Sequence, residues 1–360
     1  MQTLINIIVF ILVLGTIIFI HELGHFVAAK SFGVYCSEFA LGMGPKLFGK
    51  KIGETEYTIR LLPIGGFVAM AGEADQEDNE LMKDIPLERT LTGIYTWKKC
   101  VVMLAGVFMN FLLAIALLIG VFSFSETGTN STIIGDVTPG DPAEIAGLQA
   151  GDDIKSFVIG EEEYLIASYE DLQRVLVDVS TDAKAPILPI EITFIRSNEE
   201  MKTIVEAEYS EEVDRYRIGV YQETRNLTFG EAVQYSLRYF REMSVLIFTT
   251  LTKLITDSMN TVGQLSGPAG IYQVTAQITE SGSVSNLLLL TAGLSINIGI
   301  FNLLPIPGLD GSQILFSVVE KIVGKEIPIK TKYAIQLAGL FLVFGLMIIV
   351  TINDISRIFR

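Results

Sequence analysis

The sequence predicts a polytopic α-helical membrane protein with four transmembrane helices and an extracytoplasmic domain inserted between the second and the third. Of its 360 residues, 50% are hydrophobic and only 19% are charged, and the mean hydropathy is +0.47. Soluble proteins of this size are less apolar. Four apolar segments reach the roughly 20 residues that a spanning helix needs. Most of the net charge of -15 falls in the inserted segment.

The predicted spans are Thr3 to Ala28, Val101 to Phe124, Ser285 to Leu304 and Tyr333 to Thr351. The first span resembles a secretory signal in its position. However, no basic residue precedes it and no A-x-A cleavage site follows it, so we expect it to remain in the protein.

Lysines beside the spans indicate the orientation. They lie in the loops after the first and third spans, as Lys30, Lys98, Lys99, Lys321, Lys325, Lys330 and Lys332. The positive-inside rule therefore places these two loops in the cytoplasm and both termini outside. Arg357 and Arg360, after the fourth span, argue against this orientation.

The segment between the second and third spans, Asn130 to Leu227, carries about 13 more acidic than basic side chains. This balance predicts a solvated domain outside the membrane and disfavours nucleic acid as a partner. Cys36 and Cys100 both fall on the inferred cytoplasmic side, so we expect no disulfide between them.

The loop between the first two spans is rich in glycine from Phe39 to Met70. Within it, apolar and polar side chains alternate from Thr55 to Leu62, as they do in a strand. We expect a short hairpin at the membrane surface, with a plain cytoplasmic loop as the alternative. Farther along the chain, Phe229 to Met259 has apolar residues at helical spacing with basic residues among them. It predicts an amphipathic helix on the membrane surface, with a fifth span as the alternative.

The inserted segment has the strand pattern and the helix-capping residues of a globular domain. Thr132 to Val137 reads as a strand, and in GDPAEIAGLQAGDDI Asp141 can cap a short helix that Gly147 ends. Ser168 and Asp171 form a capping-box pattern ahead of a further helix. Two more predicted strands follow, Ile187 to Phe194 and Thr203 to Ala207.

This order of elements, with the phrase AGLQAGDDI, resembles a circularly permuted PDZ domain of bacterial proteases. The expected domains are then an N-terminal membrane part at 1–127, a PDZ domain at 128–222 and a C-terminal membrane part at 223–360. The loop expected to meet a peptide terminus, Gly128 to Ser131, carries no distinctive motif.

The stretch IIFIHELGHFVAA, Ile17 to Ala29, places ionisable residues in an apolar run, where they indicate function. His21, Glu22 and His25 form H-E-x-x-H. On a helix, positions i and i+4 share a face, so both imidazoles can bind one ion and Glu22 can act as a general base on a metal-bound water. The chain contains no other histidine. The alternative is a pair of unrelated core histidines.

A catalytic zinc has three protein ligands and keeps its fourth position for water. With no third histidine, the remaining ligand must be a carboxylate or a thiolate. Asp310, in NLLPIPGLDG, is the only acidic residue from Ser281 to Val319, and two helix-breaking prolines precede it. Cys36 and Cys100 are alternative ligands, and Asp310 as a mere helix cap is the structural alternative.

Together these motifs resemble the site-2 protease family, the intramembrane zinc metalloproteases. The nearest branch is the bacterial regulator of sigma-E protease type, here with a single PDZ domain. The resemblance covers nearly the whole chain through HELGH, PIGGF, AGVFMN, LSGPAG and NLLPIPGLDG. The chain departs from the family pattern at Val107, where a proline is usual, and at Ser312, where glycine often stands.

The resemblance implies a role for each motif residue. His21, His25 and Asp310 would bind Zn²⁺ and Glu22 would activate water. Asn302 would lie near the scissile carbonyl, and the PIGGF strand, with Gly65, Gly66 and Phe67, would pair with unwound substrate.

The implied function is regulated intramembrane proteolysis in the bacterial cytoplasmic membrane. Its substrates would be transmembrane proteins already cut outside the membrane by another protease, such as anti-sigma factors, or leftover signal peptides. A rival hypothesis is a non-catalytic membrane adaptor with structural zinc and a peptide-binding PDZ domain. A structural site would have four protein ligands, and the sequence offers three good ones, which favours the enzyme.

Overall fold

A computed structural model describes residues 1–73, 85–182, 185–211, 213–257, 267–325 and 327–358. The helices are α1 Gln2–Ser31, α2 Thr96–Phe124, α3 Pro142–Ile145, α4 Tyr169–Asp182, α5 Phe229–Thr256, α6 Pro268–Ser281, α7 Val284–Leu303, α8 Asp310–Val323 and α9 Ile329–Ile358. The strands are β1 Cys36–Ile52, β2 Thr55–Met70, β3 Thr127–Gly128, β4 Ile134–Val137, β5 Asp153–Ile159, β6 Glu162–Leu165, β7 Ile187–Arg196, β8 Glu199–Ser210, β9 Arg215–Arg217, β10 Val220–Gln222 and β11 Thr224–Arg225.

The chain forms two compact units. One combines Met1–Val121 with Glu231–Arg360, and the other is Phe122–Gly230. The first unit contains the metal-binding motifs of the sequence. The second corresponds to the acidic insertion.

Four helices in the described part of the chain are long and apolar enough to cross a membrane: Gln2–Ser31, Thr96–Phe124, Val284–Leu303 and Lys330–Asp354. The prediction of four spans is confirmed, with ends that differ by a few residues. Helix α5 is not among them. The predicted amphipathic segment is helical from Phe229 to Thr256, and its last predicted residues, 258 and 259, lie outside the described part.

The glycine-rich loop is a β-structure, but the expectation of a short hairpin is wrong. β1 and β2 have 17 and 16 residues, and each folds back on itself. Phe39 pairs with both Val68 and Tyr57. The segments therefore lie in the order 66–70, 36–41, 55–59 and 46–52. Positive φ at Gly42, Gly44 and Gly65 permits the reversals.

An anchor joins this β-structure to the base of α1. Glu54, at the turn between β1 and β2, lies 2.5 Å from the Lys30 Nζ atom and 2.7 Å from the Arg89 guanidinium. Hydrogen bonds from Lys30 and Arg89 lower the pKa of Glu54 below its usual range. Of the acidic stretch from Ala71 to Arg89, residues 74–84 lie outside the described part.

Helix α6 begins at the GPAG sequence of the LSGPAG motif, whose first two residues, 265 and 266, are outside the described part. Its N-terminus is capped by Asp354 of α9, whose Oδ2 accepts hydrogen bonds from the backbone N–H groups of Gly267 and Gly270, at 2.8 and 2.9 Å. Asp354 is buried. An acidic residue near the end of a membrane helix is therefore satisfied by the positive end of another helix.

The unit Phe122–Gly230 is built around a five-stranded antiparallel sheet in the order β6-β5-β7-β8-β9. Its core includes Ile154, Phe157, Leu172 and Ile190, all fully or almost fully buried. β4 pairs with β10, and β3 pairs with β11. The strands predicted from 187 to 194 and from 203 to 207 are confirmed as the central parts of β7 and β8.

The helix boundaries predicted in this unit lie where expected, but the predicted capping hydrogen bond of Asp141 is not formed. Asp141 is at the N-cap of α3, but its side chain makes no capping hydrogen bond. Glu144 instead accepts from the Gly140 N–H, at 2.7 Å. Gly147 ends the helix at φ 85°, as predicted. The Asp171 N–H donates to Ser168 Oγ, at 3.1 Å, which confirms half of the capping box.

Candidate metal centre

Three side chains from distant parts of the sequence meet at one point in the membrane unit. His21 Nε2 and His25 Nε2 lie 3.1 Å apart, and Asp310 Oδ2 lies 3.1 Å from the first and 3.2 Å from the second. Among the described residues, this is the one group of His, Cys, Asp and Glu side chains close enough to hold a metal ion. The arrangement is a nearly equilateral triangle of donor atoms.

The helical geometry of α1 brings the two histidines together. They are one turn apart on one face, and their rings stand nearly perpendicular, at 86°, with centroids 4.7 Å apart. Both side chains are buried. His25 Nδ1 lies 2.8 Å from the carbonyl oxygen of Val102 on α2. Because a carbonyl only accepts hydrogen bonds, Nδ1 carries the proton of the neutral ring, and Nε2 presents its lone pair to the cluster.

Asp310 reaches the cluster because the chain turns sharply before it. Helix α7 ends at Leu303, the prolines of PIPG follow, and Gly308 adopts φ 94°. Asp310 is then the first residue of α8, whose N-cap is Leu309. It is therefore not an N-cap residue, as the helix-cap alternative would require. Its Oδ2 is buried and has no hydrogen-bond partner among the described residues.

Helices α1 and α2 approach very closely beside the cluster. A Cβ atom built on Gly24 would lie 2.3 Å from the Ala105 carbonyl oxygen, and one built on Gly106 would lie 2.4 Å from His25 Nε2. Only glycine fits at either position, because real Cβ contacts are longer. The AGVFMN sequence therefore supplies a glycine against which the imidazoles rest.

The triangle fits a zinc ion. In tetrahedral zinc sites, N and O ligands lie at about 2.0–2.2 Å, which places neighbouring ligand atoms about 3.3 Å apart. The three observed separations are close to this value. Two imidazole nitrogens and one carboxylate are also a donor set used by catalytic zinc, which leaves the fourth position free. The unpartnered Oδ2 of Asp310 is the kind of buried oxygen that a cation satisfies.

Glu22 lies beside the cluster without belonging to it. The β2 backbone passes directly over it, since a Cβ built on Gly66 would lie 3.3 Å from Glu22 Cγ and 3.5 Å from Ile18. Of the predicted substrate-binding residues, Gly66 is therefore the one that the structure brings to the site.

The other predicted substrate-binding residues lie nearby in the fold without a described contact to the cluster. Gly65 adopts φ 90° next to Met43. Phe67 pairs with Ala40 and carries the Arg60 guanidinium on its ring face, at 4.9 Å. Asn302 lies in the last turn of α7, and no described hydrogen bond joins its side chain to the three donor atoms.

Neither alternative thiol ligand belongs to the described cluster. Cys36 and Cys100 are both free, in agreement with the expectation of no disulfide. Burial raises the pKa of Cys36 to about 12, and neither thiol is among the described side chains close enough to share an ion with His21 and His25.

Two buried polar residues next to the metal-binding cluster were not identified from the sequence. Asn110 on α2 is completely buried, and its Nδ2 lies 3.2 Å from His21 Nδ1. Ser295 on α7, also completely buried, donates to the Asn110 carbonyl, at 2.8 Å. The available signal was a polar amide within an uncharged span, one turn after Gly106.

Comparison with known proteins agrees with this geometry. The model of peptidase family M50 matches residues 9–346. A relative from Clostridium perfringens named as a zinc metalloprotease is 35% identical over 346 residues, which is 96% of this chain and 97% of that protein. The zinc metalloprotease RasP of Bacillus licheniformis and the regulator of sigma-W protease RasP of Bacillus subtilis are each 32% identical over 429 residues, covering 98% of this chain and 99% of theirs.

The family match spans nearly the whole chain and includes both the helix with HELGH and the turn with Asp310. The Clostridium perfringens and Bacillus licheniformis relatives are named as zinc metalloproteases, and the alignments cover almost the full length of both proteins. The chain therefore belongs to peptidase family M50, the site-2 protease family, and is an intramembrane zinc metalloprotease.

Proposed function

We propose that His21, His25 and Asp310 hold the catalytic zinc and that Glu22 is the general base. The observation that carries this proposal is the triangle of Nε2, Nε2 and Oδ2 atoms, 3.1 to 3.2 Å apart. When bound, zinc would lower the pKa of a water molecule and polarise the scissile carbonyl. Glu22 takes the proton from the attacking water and delivers it to the leaving amine.

The substrate is a transmembrane segment of another membrane protein, and it binds as an added strand. Amides of a bilayer helix are hydrogen-bonded within the helix, so a segment must unwind before a bond can be cleaved. The 66–70 segment supports this proposal, because among the described residues it pairs with 36–41 on one side and with no strand on the other, and it passes over Glu22 at Gly66. Strand addition there would satisfy the unwound backbone beside the general base. Gly65 and Phe67 belong to this edge, and Asn302 lies near the scissile carbonyl.

The biological substrates are transmembrane proteins pre-cut by another protease, such as anti-sigma factors, or signal-peptide remnants. The Bacillus subtilis relative named a regulator of sigma-W protease supports regulated intramembrane proteolysis. The chain lies in the bacterial cytoplasmic membrane. Its active site faces the cytoplasmic side, because HELGH is at the end of α1 that carries Lys30.

We assign the insertion, 128–222, to a PDZ domain on the extracytoplasmic side, between membrane parts at 1–127 and 223–360. The support is the order of β4, the short helix α3, strands β5 and β6, helix α4 and strand β7, with β5 paired to β7. In AGLQAGDDI, buried Asp152 accepts a hydrogen bond from Arg196 of β7, at 2.7 Å. The helix-turn-strand stretch is thereby fixed to the sheet.

The domain acts as a filter that excludes substrates with large external parts. The loop expected to bind a peptide terminus is already hydrogen-bonded to other residues of the unit Phe122–Gly230. The Thr129 N–H donates to the Glu223 carbonyl, at 2.7 Å, and Asn130 Oδ1 accepts from the Glu170 N–H, at 3.0 Å. A loop whose polar groups are already paired favours exclusion over peptide capture.

The test of the catalytic assignment is Glu22→Gln in purified enzyme with a transmembrane model substrate. The amide cannot accept a proton, so cleavage should fall by a factor of about 100 or more, while the zinc content stays at one ion per chain. His21→Ala should lose both. Cleavage at the normal rate by Glu22→Gln would show that Glu22 is not the general base.

A further inference from the structure

The Nδ1 atoms of the two cluster histidines have different hydrogen-bond partners. Val102 offers His25 only an acceptor, the carbonyl oxygen, at 2.8 Å from Nδ1. Asn110 offers His21 an amide, which carries a donor and an acceptor on one group. Its Nδ2 lies 3.2 Å from His21 Nδ1, and its Oδ1 is buried with no hydrogen-bond partner among the described residues. His25 is therefore held in one tautomer, and His21 is not.

The Asn110 amide presents its nitrogen to His21. With Asn110 Nδ2 facing it, His21 Nδ1 accepts a hydrogen bond, and the ring proton sits on Nε2. That N–H is then available to the lone pair of His25 Nε2, 3.1 Å away. In this tautomer His21 has no lone pair on Nε2 with which to bind a metal ion.

Zinc binding requires the opposite tautomer. A metal on Nε2 takes the lone pair, so the proton of the neutral ring moves to Nδ1 and needs an acceptor. A half-turn of the Asn110 side-chain amide exchanges the positions of Nδ2 and Oδ1. The oxygen then accepts from His21 Nδ1–H. The main chain of Asn110 is held in place by the hydrogen bond from Ser295 Oγ to its carbonyl.

We propose that Asn110 is a positioning residue whose side-chain oxygen accepts a hydrogen bond from His21 Nδ1–H when zinc is bound to Nε2, and that it thereby fixes the metal-binding tautomer of His21. A carboxylate could accept the same hydrogen bond, whereas an apolar side chain could not. This inference rests on the zinc site proposed above. It goes beyond that site in naming the residue that sets the His21 tautomer.

The test is zinc affinity, measured by chelator competition on detergent-purified full-length protein. Asn110→Leu, of similar size but without polar atoms, should weaken zinc binding about ten- to a hundredfold, the usual cost of losing a partner behind a metal-bound histidine. Asn110→Asp supplies an acceptor only and should bind zinc at least as tightly as wild type. Thr291→Ala, which removes a buried hydroxyl on α7 that donates to the Leu287 carbonyl of its own helix, is the control and should change affinity less than threefold.

Wild-type affinity in Asn110→Leu would overturn the proposal, and so would equal losses in Asn110→Leu and Asn110→Asp, because the acceptor would then be irrelevant. If Asn110→Leu does not fold, the zinc affinity of Asn110→Asp is the deciding measurement. A tenfold loss of zinc affinity in that variant would overturn the assignment. His21→Ala separates this failure from failure of the zinc site: a His21→Ala protein that still binds zinc would contradict the site itself.

Discussion

Gly106 of α2 lies directly against both histidines of the metal cluster. A Cβ atom built on it would lie 2.4 Å from His25 Nε2 and 2.8 Å from His21 Cε1. Both rings are held from behind by Val102 and Asn110, so neither can move away without losing a hydrogen bond. A side chain at position 106 must therefore displace the nitrogen atoms that we propose as ligands.

We predict that Gly106→Ala lowers zinc affinity at least tenfold and reduces cleavage in parallel. Gly120→Ala is the matched control, because Gly120 is on the same helix and a Cβ there meets nothing within 4 Å. Zinc per chain, measured by metal analysis of both purified variants, is the readout. Equal zinc content in the two variants would mean that the glycine does not shape the site.

Gly66 gives a prediction about substrate rather than metal. Gly66→Val should leave zinc bound, since the side chain would meet the Ala40 carbonyl at 2.9 Å and Glu22 Cγ at 3.3 Å rather than the histidines. Crowding of the general base and of the strand edge should lower kcat/KM about tenfold or more. Gly49→Ala is the control on the same β-structure, because a Cβ there meets only the flexible ends of Lys46 and Glu56. Loss of zinc from Gly66→Val would contradict this division of roles.

The sequence predicted the four spans and the three side chains, His21, His25 and Asp310, that the structure brings together. A helical period fixes the relation of His21 to His25, and a helix break before a lone carboxylate in an apolar stretch indicates Asp310. Both patterns are local, so they can be recognised from the sequence without knowledge of the tertiary structure. The tertiary contact between α1 and α8 was inferred from the ligand count of zinc rather than from any pattern.

The β1–β2 structure was underestimated because its glycines were interpreted as loop residues. Gly42, Gly44 and Gly65 have positive φ and reverse the chain inside long strands, so one hairpin becomes four adjacent segments. Similarly, Asn110 was missed because its role depends on which helix lies opposite. A single polar residue in a span does not reveal its partner.

The ion pairs at Glu54 predict a pH-dependent anchor for the β-structure. The pKa of Glu54 is lower in the folded protein than its ordinary value of 4.5. The attachment to Lys30 and Arg89 is therefore fully present above that value and is lost as the pH falls through the folded pKa. A spin label at exposed position 50 should become mobile on acidification in the wild type. In Glu54→Gln it should be mobile at neutral pH as well, and an immobile label there would exclude the anchor.

Cys36 provides a test of the alternative ligand. Burial raises its pKa to about 12, and its thiol donates weakly to the Val34 carbonyl, at 3.7 Å. We predict that Cys36→Ser keeps full zinc occupancy and that Cys36 in the wild type does not react with a maleimide at pH 7.5. Zinc loss in Cys36→Ser would make the thiol the third ligand in place of Asp310.

The zinc content of Asp310→Asn tests the central claim most directly. The amide is nearly isosteric with the carboxylate but is neutral and a poor zinc ligand, so we expect at least a hundredfold loss of zinc affinity and loss of cleavage. Asp171→Asn, which changes a carboxylate in the first turn of α4, is the control and should keep one zinc per chain. If Asp310→Asn keeps full zinc occupancy and full activity, Asp310 is not a ligand and the three-residue zinc site is wrong.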